Sequence, residues 1–186
     1  MTQKNMKSIK LNSKDLITTR KTIDENINKY RRIIRFENVM PMKAVKNNQG
    51  SGFDLKMLLN KINQMSDLRI KIKGALQYLN MGYDNFSYEE FKKTHYFAIF
   101  KACEEKEKMT FLKMLRETCI NPAEKSKKGL KGTGKREIFS TAKIDSLIKE
   151  TQLEINKYDT KIAEFNDSAS INFDELDDEL KSMLTT

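Results

Sequence analysis

The sequence predicts an all-α protein: an antiparallel bundle of four long helices in coiled-coil-like hairpins, followed by a short acidic C-terminal helix. Three observations predict it. Charged residues make up 33% and hydrophobic residues 38% of the chain, with two prolines, seven glycines and no tryptophan. That mixture is rich in helix formers and poor in breakers. Apolar residues recur in steps of three and four over long stretches, and no stretch shows the period of two that a half-buried strand needs. A chain of 186 residues makes one domain. Its bundle is set at residues 13–166, between a flexible basic N-terminus (1–12) and an acidic amphipathic helix (167–186).

The first helix opens at Ser13 as N-cap, and Leu16, Ile23, Ile27, Tyr30 and Ile34 mark one face. Its other faces carry Arg20, Lys21, Lys29, Arg31, Arg32 and Arg35. Pro41 and a Gly/Asn cluster make 38–52 a linker. The second helix runs from about Asp54 to Asn80, with Leu55, Leu58, Ile62, Met65, Ile72, Leu76 and Leu79 in an a/d pattern. Arg69 fills the one skipped place. It either snorkels out of the seam, the preferred placement, or pairs with an acid on a facing helix.

Gly82 ends that helix, and Ser87 with Glu90 spells a capping box that opens a third helix to about Cys119. Its seam is Phe91, Ala98, Ala102, Met109 and Leu112, and further aromatic residues are spread round it, so it is expected to be the central, most enclosed helix. Asn121-Pro122 ends it. A fourth helix spans about Thr141 to Phe165 on Ile144, Ile148, Thr151, Ile155, Tyr158, Ile162 and Phe165. Asn172 and Glu175 then cap the acidic helix, which carries Phe173, Leu176 and Leu180 on one side.

Between the third and fourth helices lies the loop 121–140, which contains KKGLKGTGKRE. Gly129 and Gly134-Lys135 have the G-x-x-x-x-G-K spacing of a P-loop. A P-loop also needs a buried strand before it, a helix starting at the Lys, and a Ser or Thr hydroxyl for magnesium. Here Arg136 stands in the hydroxyl position, and the upstream EKSKKGLK is a solvated run. The motif is therefore read as a chance spacing. Lys127, Lys128, Lys131, Lys135 and Arg136 still suit phosphate groups; the loop is either such a site or a solvated hinge. Arg31, Arg32 and Arg35, within one stretch of the first helix, form the second candidate phosphate contact.

The net charge of +9 is uneven: residues 1–50 hold twelve bases against four acids, whereas 142–186 hold five against eleven. A basic front and an acidic tail suggest an anionic partner or head-to-tail pairing between chains. The chain shows no apolar leader and no run near the ~20 apolar residues of a membrane span. Cys103 and Cys119 would lie ~24 Å apart on one helix, too far to bridge. Reduced cysteines and no leader place the protein in the cytoplasm, with no membrane contact.

His95 is the only histidine, which excludes multi-His metal centres; a packed or surface histidine is expected. Glu104, Glu105 and Glu107 with Lys101, Lys106 and Lys108 read as an ion-pair-laced surface. No catalytic residues, metal ligands or cofactor are assigned, and enzyme activity is not expected.

Arg136-Glu137-Ile138, Asp159-Thr160-Lys161-Ile162 and Asn80 at a helix end, set in this helix order, resemble the septicolysin-like family of small bacterial and mobile-element helical proteins over residues 14–166. The resemblance implies an oligomeric helical bundle without a catalytic site, in which Arg136 and Glu137 serve structure or subunit contact. The basic loop, the acidic tail and the aromatic third helix depart from that pattern. The leading expectation is a non-enzymatic, self-associating binding protein of a phage or other mobile element. It would sequester an anionic partner, either a phosphorylated small molecule such as a nucleotide or nucleic acid. The alternative is a structural or assembly protein, or a protein-binding inhibitor, acting through apolar seams and the acidic C-terminal helix.

Overall fold

Asn12, one residue earlier than expected, starts the first helix. Its side-chain oxygen accepts the Asp15 amide at 2.9 Å while the Asp15 carboxylate accepts the Asn12 amide at 3.2 Å. This reciprocal box satisfies two N–H groups that a helix start leaves open. The structure is a computed structural model that describes residues 10–40, 52–120 and 138–170. Most of the expected N-terminal arm, linker and basic loop, and the acidic C-terminal helix from residue 171, lie outside the described residues.

Five helices, and no strand, make up the described residues: α1 (Ser13–Glu37), α2 (Leu55–Asn80), α3 (Tyr88–Phe91), α4 (His95–Ile120) and α5 (Thr141–Ser168). Asp54 caps α2 by accepting the Lys56 amide at 2.9 Å, and Ser140 caps α5 by accepting the Lys143 amide at 3.3 Å. Gly82, with φ of 83°, carries the chain out of α2 in a conformation that side chains resist.

The expected single third helix is broken. Ser87 Oγ accepts the Glu90 amide, but the Glu90 carboxylate takes Lys93 Nζ at 2.8 Å, so the capping box is only half made. Thr94 then interrupts the chain: its hydroxyl donates to the Phe91 carbonyl at 2.7 Å and accepts the Phe97 amide at 3.3 Å. One side chain thus closes α3 and opens α4. The break seats Phe91, fully buried, against Gly74 of α2. A Cβ at Gly74 would lie 2.6 Å from the Phe91 ring, so only glycine permits this approach. Phe91 also meets Tyr78, Phe86, Phe97 and Phe100 within 6.2 Å of their ring centroids. These aromatic residues are committed to packing.

α4 is the hub, packing along α5 and touching both α2 and α1. One core gathers Ile23, Ile27 and Ile34 of α1, Leu58 and Ile62 of α2, Leu112 and Leu115 of α4, and Ile144 of α5. Burial of each such side chain contributes about 1.5–3 kcal/mol. A smaller cluster, Ala98 and Ala102 with Tyr158, joins α4 to the C-terminal half of α5. Ile70 and Gly74 are buried although they lie off the a/d seam, because α2 packs against more than one neighbour.

Asn38 locks one end of the core. Its side chain, fully buried, donates to the Phe139 carbonyl at 2.9 Å and accepts the Phe139 amide at 2.7 Å. The same amide nitrogen lies 3.2 Å from Cys119 Sγ. The ends of α1 and α4 and the approach to α5 are thereby tied together. Residues assigned from sequence to the edges of the linker (Asn38, Met40) and of the basic loop (Phe139) are core residues.

Candidate anion-binding groove

Two arginine sites, one of a single residue and one of three, organise the α1–α4 side of the molecule, and they are built differently. Arg69 of α2 is buried among carboxylates from two other helices. Its Nε donates to Glu104 at 2.8 Å, Nη1 to Asp24 at 2.6 Å and Nη2 to Glu107 at 2.6 Å, with a second, very close contact to Glu104. Lys73 adds a further bond to Glu104 at 3.1 Å. Burial alone would lower the Arg69 pKa, but the hydrogen bonds and charges of Glu104, Asp24 and Glu107 outweigh it and raise the value. Arg69 therefore pairs and does not snorkel. The physical reason is that its place in the seam lies between α1 and α4, where the carboxylates of Asp24, Glu104 and Glu107 meet its three nitrogens. Glu104 and Glu105 do form ion pairs, with Lys73, Lys101 and Lys108, but both are buried, which corrects their reading as part of an ion-pair-laced surface.

The second group lies at the surface. Asn28, Arg31, Arg32 and Arg35 of α1 face Glu107, Thr110, Phe111 and Met114 of α4 across a cavity of about 450 Å³. Both sets have steps of three, one and three, which place four residues along one face of each helix. Contacts rise together along the two helices, from Arg31–Glu107 to Arg35–Met114. The pair thus forms the two walls of one groove.

Arg31 is the inner member. Its side chain is 16% exposed, and its guanidinium stands 5.7 Å from the centre of the Phe111 ring. Glu107 Oε2 is 3.6 Å away, a longer separation than the 2.6 Å from that same oxygen to Arg69. Arg31 Nε is buried and has no hydrogen-bond partner. Burial lowers the Arg31 pKa, Glu107 raises it, and the nearby Arg69 lowers it again; the guanidinium remains charged. Arg35 reaches only the thioether of Met114, at 3.8 Å, and Arg32 is exposed. Among the described residues neither Arg32 nor Arg35 has a carboxylate partner.

Of the residues singled out in the sequence, the structure brings Arg31, Arg32 and Arg35 together on this groove. Lys127, Lys128, Lys131, Lys135 and Arg136 lie outside the described residues. The opposite wall was not foreseen. Glu107, Thr110, Phe111 and Met114 follow a helical spacing, but only knowledge of which helix faces α1 selects them. His95 packs flat on Phe165, with centroids 3.9 Å apart and planes 16° from parallel. Among the described residues no group of three or more acidic, His or Cys side chains could hold a metal ion, and no helix is long and apolar enough to cross a membrane. No protein-family model, curated protein or solved structure matches the chain.

Proposed function

We propose that this chain is a non-enzymatic helical binding protein that holds an anionic, phosphate-bearing partner in the groove between α1 and α4. One observation carries the reading: Arg32 and Arg35 line a concave site without carboxylate partners among the described residues, beside an Arg31 whose buried Nε is unsatisfied. Arginine forks match phosphate oxygens in geometry and charge. A volume of about 450 Å³ lies in the range of small-molecule sites. The partner is either a phosphorylated small molecule such as a nucleotide or nucleic acid, and Lys127, Lys128, Lys131, Lys135 and Arg136 are the alternative phosphate contact proposed from the sequence.

The same reading takes the four long helices as an antiparallel bundle with coiled-coil-like hairpins that self-associates in the cytoplasm. Opposed numbering along α4 and α5, where Lys106 meets Asp159 and Arg116 meets Asp145, supports an antiparallel arrangement of that pair. Phe36 and Leu153, 70% and 69% exposed, are apolar surface suited to a second copy. They equally favour the second reading, an assembly protein or protein-binding inhibitor. A phage or mobile-element sequestering role, and kinship with the septicolysin-like proteins, belong to this proposal.

The test is a binding screen of nucleotides and short oligonucleotides against the parent and an Arg32→Gln/Arg35→Gln variant, with mass measured by light scattering. The groove reading expects affinity for at least one phosphate compound to fall about tenfold or more in the variant. Unchanged affinity for every compound would remove the groove as the site.

A further inference from the structure

The groove is not uniformly cationic, and its one acid has a distinct position. Glu107 lines the same cavity as the three arginines. Its shortest contacts with the arginines use Oε2: 2.6 Å to Arg69 and 3.6 Å to Arg31. Its Oε1 accepts no hydrogen bond among the described residues, and its side chain is 45% exposed. Arg69 anchors the carboxylate from the buried side, so one oxygen is held while the other remains an open acceptor.

We infer that the groove takes a phosphomonoester that also carries hydroxyl groups, as a ribonucleotide or a sugar phosphate does. The phosphate lies on Arg32 and Arg35, and a hydroxyl donates to Glu107 Oε1. This inference rests on the groove being the anion site and names what it selects. The levels of Arg31 and Arg35 are four residues apart on α1, about 6 Å along the axis. That is close to the span from the phosphate to the ring hydroxyls of a 5′-ribonucleotide. A fixed carboxylate is a strong acceptor for a sugar hydroxyl, the use it has in dinucleotide sites. Met114, exposed beside the buried Phe111, gives the groove an apolar wall against which a ring can lie.

The same carboxylate works against a continuous phosphate backbone. A polymer laid along the groove would bring a phosphate close to Glu107, where like charges repel. A ligand with its negative charge at one end and hydroxyls at the other avoids this conflict. Glu107 thus sets specificity by favouring a small ligand over nucleic acid.

Titration calorimetry with defined probes tests the inference. Adenosine 5′-monophosphate, its 2′,3′-dideoxy analogue, ribose 5-phosphate, inorganic phosphate and a twelve-nucleotide oligodeoxynucleotide would be compared on the full chain. The monophosphate should bind about ten- to a hundredfold more tightly than the dideoxy analogue, the effect of losing hydrogen bonds to a charged acceptor. Binding of ribose 5-phosphate within about threefold of the monophosphate would assign the sugar phosphate as the recognised unit; much weaker binding would assign the nucleotide. Glu107→Gln should shrink the hydroxyl preference and strengthen binding of inorganic phosphate and of the oligonucleotide. Equal affinity for the monophosphate and its dideoxy analogue in the parent chain, a result that needs no variant to fold, overturns the inference. If Arg35→Gln still weakens binding of inorganic phosphate in that case, the anion groove survives and only its selectivity is wrong. If Arg35→Gln changes nothing, the groove itself fails.

Discussion

Arg69 and Arg35 are the same residue type in two environments, and the contrast separates what builds this molecule from what it offers to a partner. Arg69 is enclosed by Asp24, Glu104 and Glu107 from two other helices, and every arm of its guanidinium is used. Arg35 is exposed and touches only a thioether. A buried charge with its acids in place fixes which helices meet and at what register, while contributing little net stability. An exposed arginine without a carboxylate costs little to keep and remains available. Charge count alone does not distinguish the two; the number of satisfied donors does.

The largest expected effect attacks the buried member. Arg69→Met leaves Glu104, buried and now held only by Lys73, without its main partner. Loss of one partner of a buried pair costs about 3–5 kcal/mol, which denaturant unfolding would read directly. A loss below about 1 kcal/mol would mean that Glu104 is solvated and the pairing is loose.

Asn38→Ala extends the contrast to a neutral buried group. It strips the Phe139 amide and carbonyl of their partner, and should cost about 2–3 kcal/mol in the same assay. Arg35→Gln should instead change stability by no more than about 0.5 kcal/mol. If Arg35→Gln destabilises as much as Asn38→Ala, the groove arginines are structural and the division between the two regions fails.

The helical faces were legible because burial and a 3.6-residue period go together. Leu16, Ile23, Ile27 and Ile34 in α1, and Ile144, Thr151, Ile155 and Tyr158 in α5, are buried where their spacing puts them. What escaped were features set by contact between distant residues. The partners of Arg69 lie about 35 to 45 residues away, so its pairing is invisible to a local pattern. Gly74 reads as a weak point in a helix until Phe91 is placed against it. Thr94 reads as one more helical residue, although its hydroxyl serves both neighbouring helices. The groove was half legible. Clustered arginines on α1 pointed to phosphate, but the α4 wall depends on packing.

An effect smaller than that of either buried group tests the outer surface. Lys106 and Asp159 form an exposed pair at 2.8 Å, about half accessible on each side. Lys106→Ala should cost no more than about 1 kcal/mol, and raised salt should erase the difference. Persistence of the loss at 1 M salt would show that even the surface pairs of α4 and α5 are structural.

Localisation of binding by amide chemical shifts separates the two regions most sharply. Adenosine 5′-monophosphate or inorganic phosphate would be titrated into isotopically labelled protein at low salt. The expected result is saturable shifts concentrated at residues 28–35 and 107–114, with little change at Leu58, Ile62 and the other core residues of α2 away from Arg69. Saturable shifts confined to other parts of the chain, or none with any phosphate compound at millimolar concentration, would contradict a phosphate site between α1 and α4.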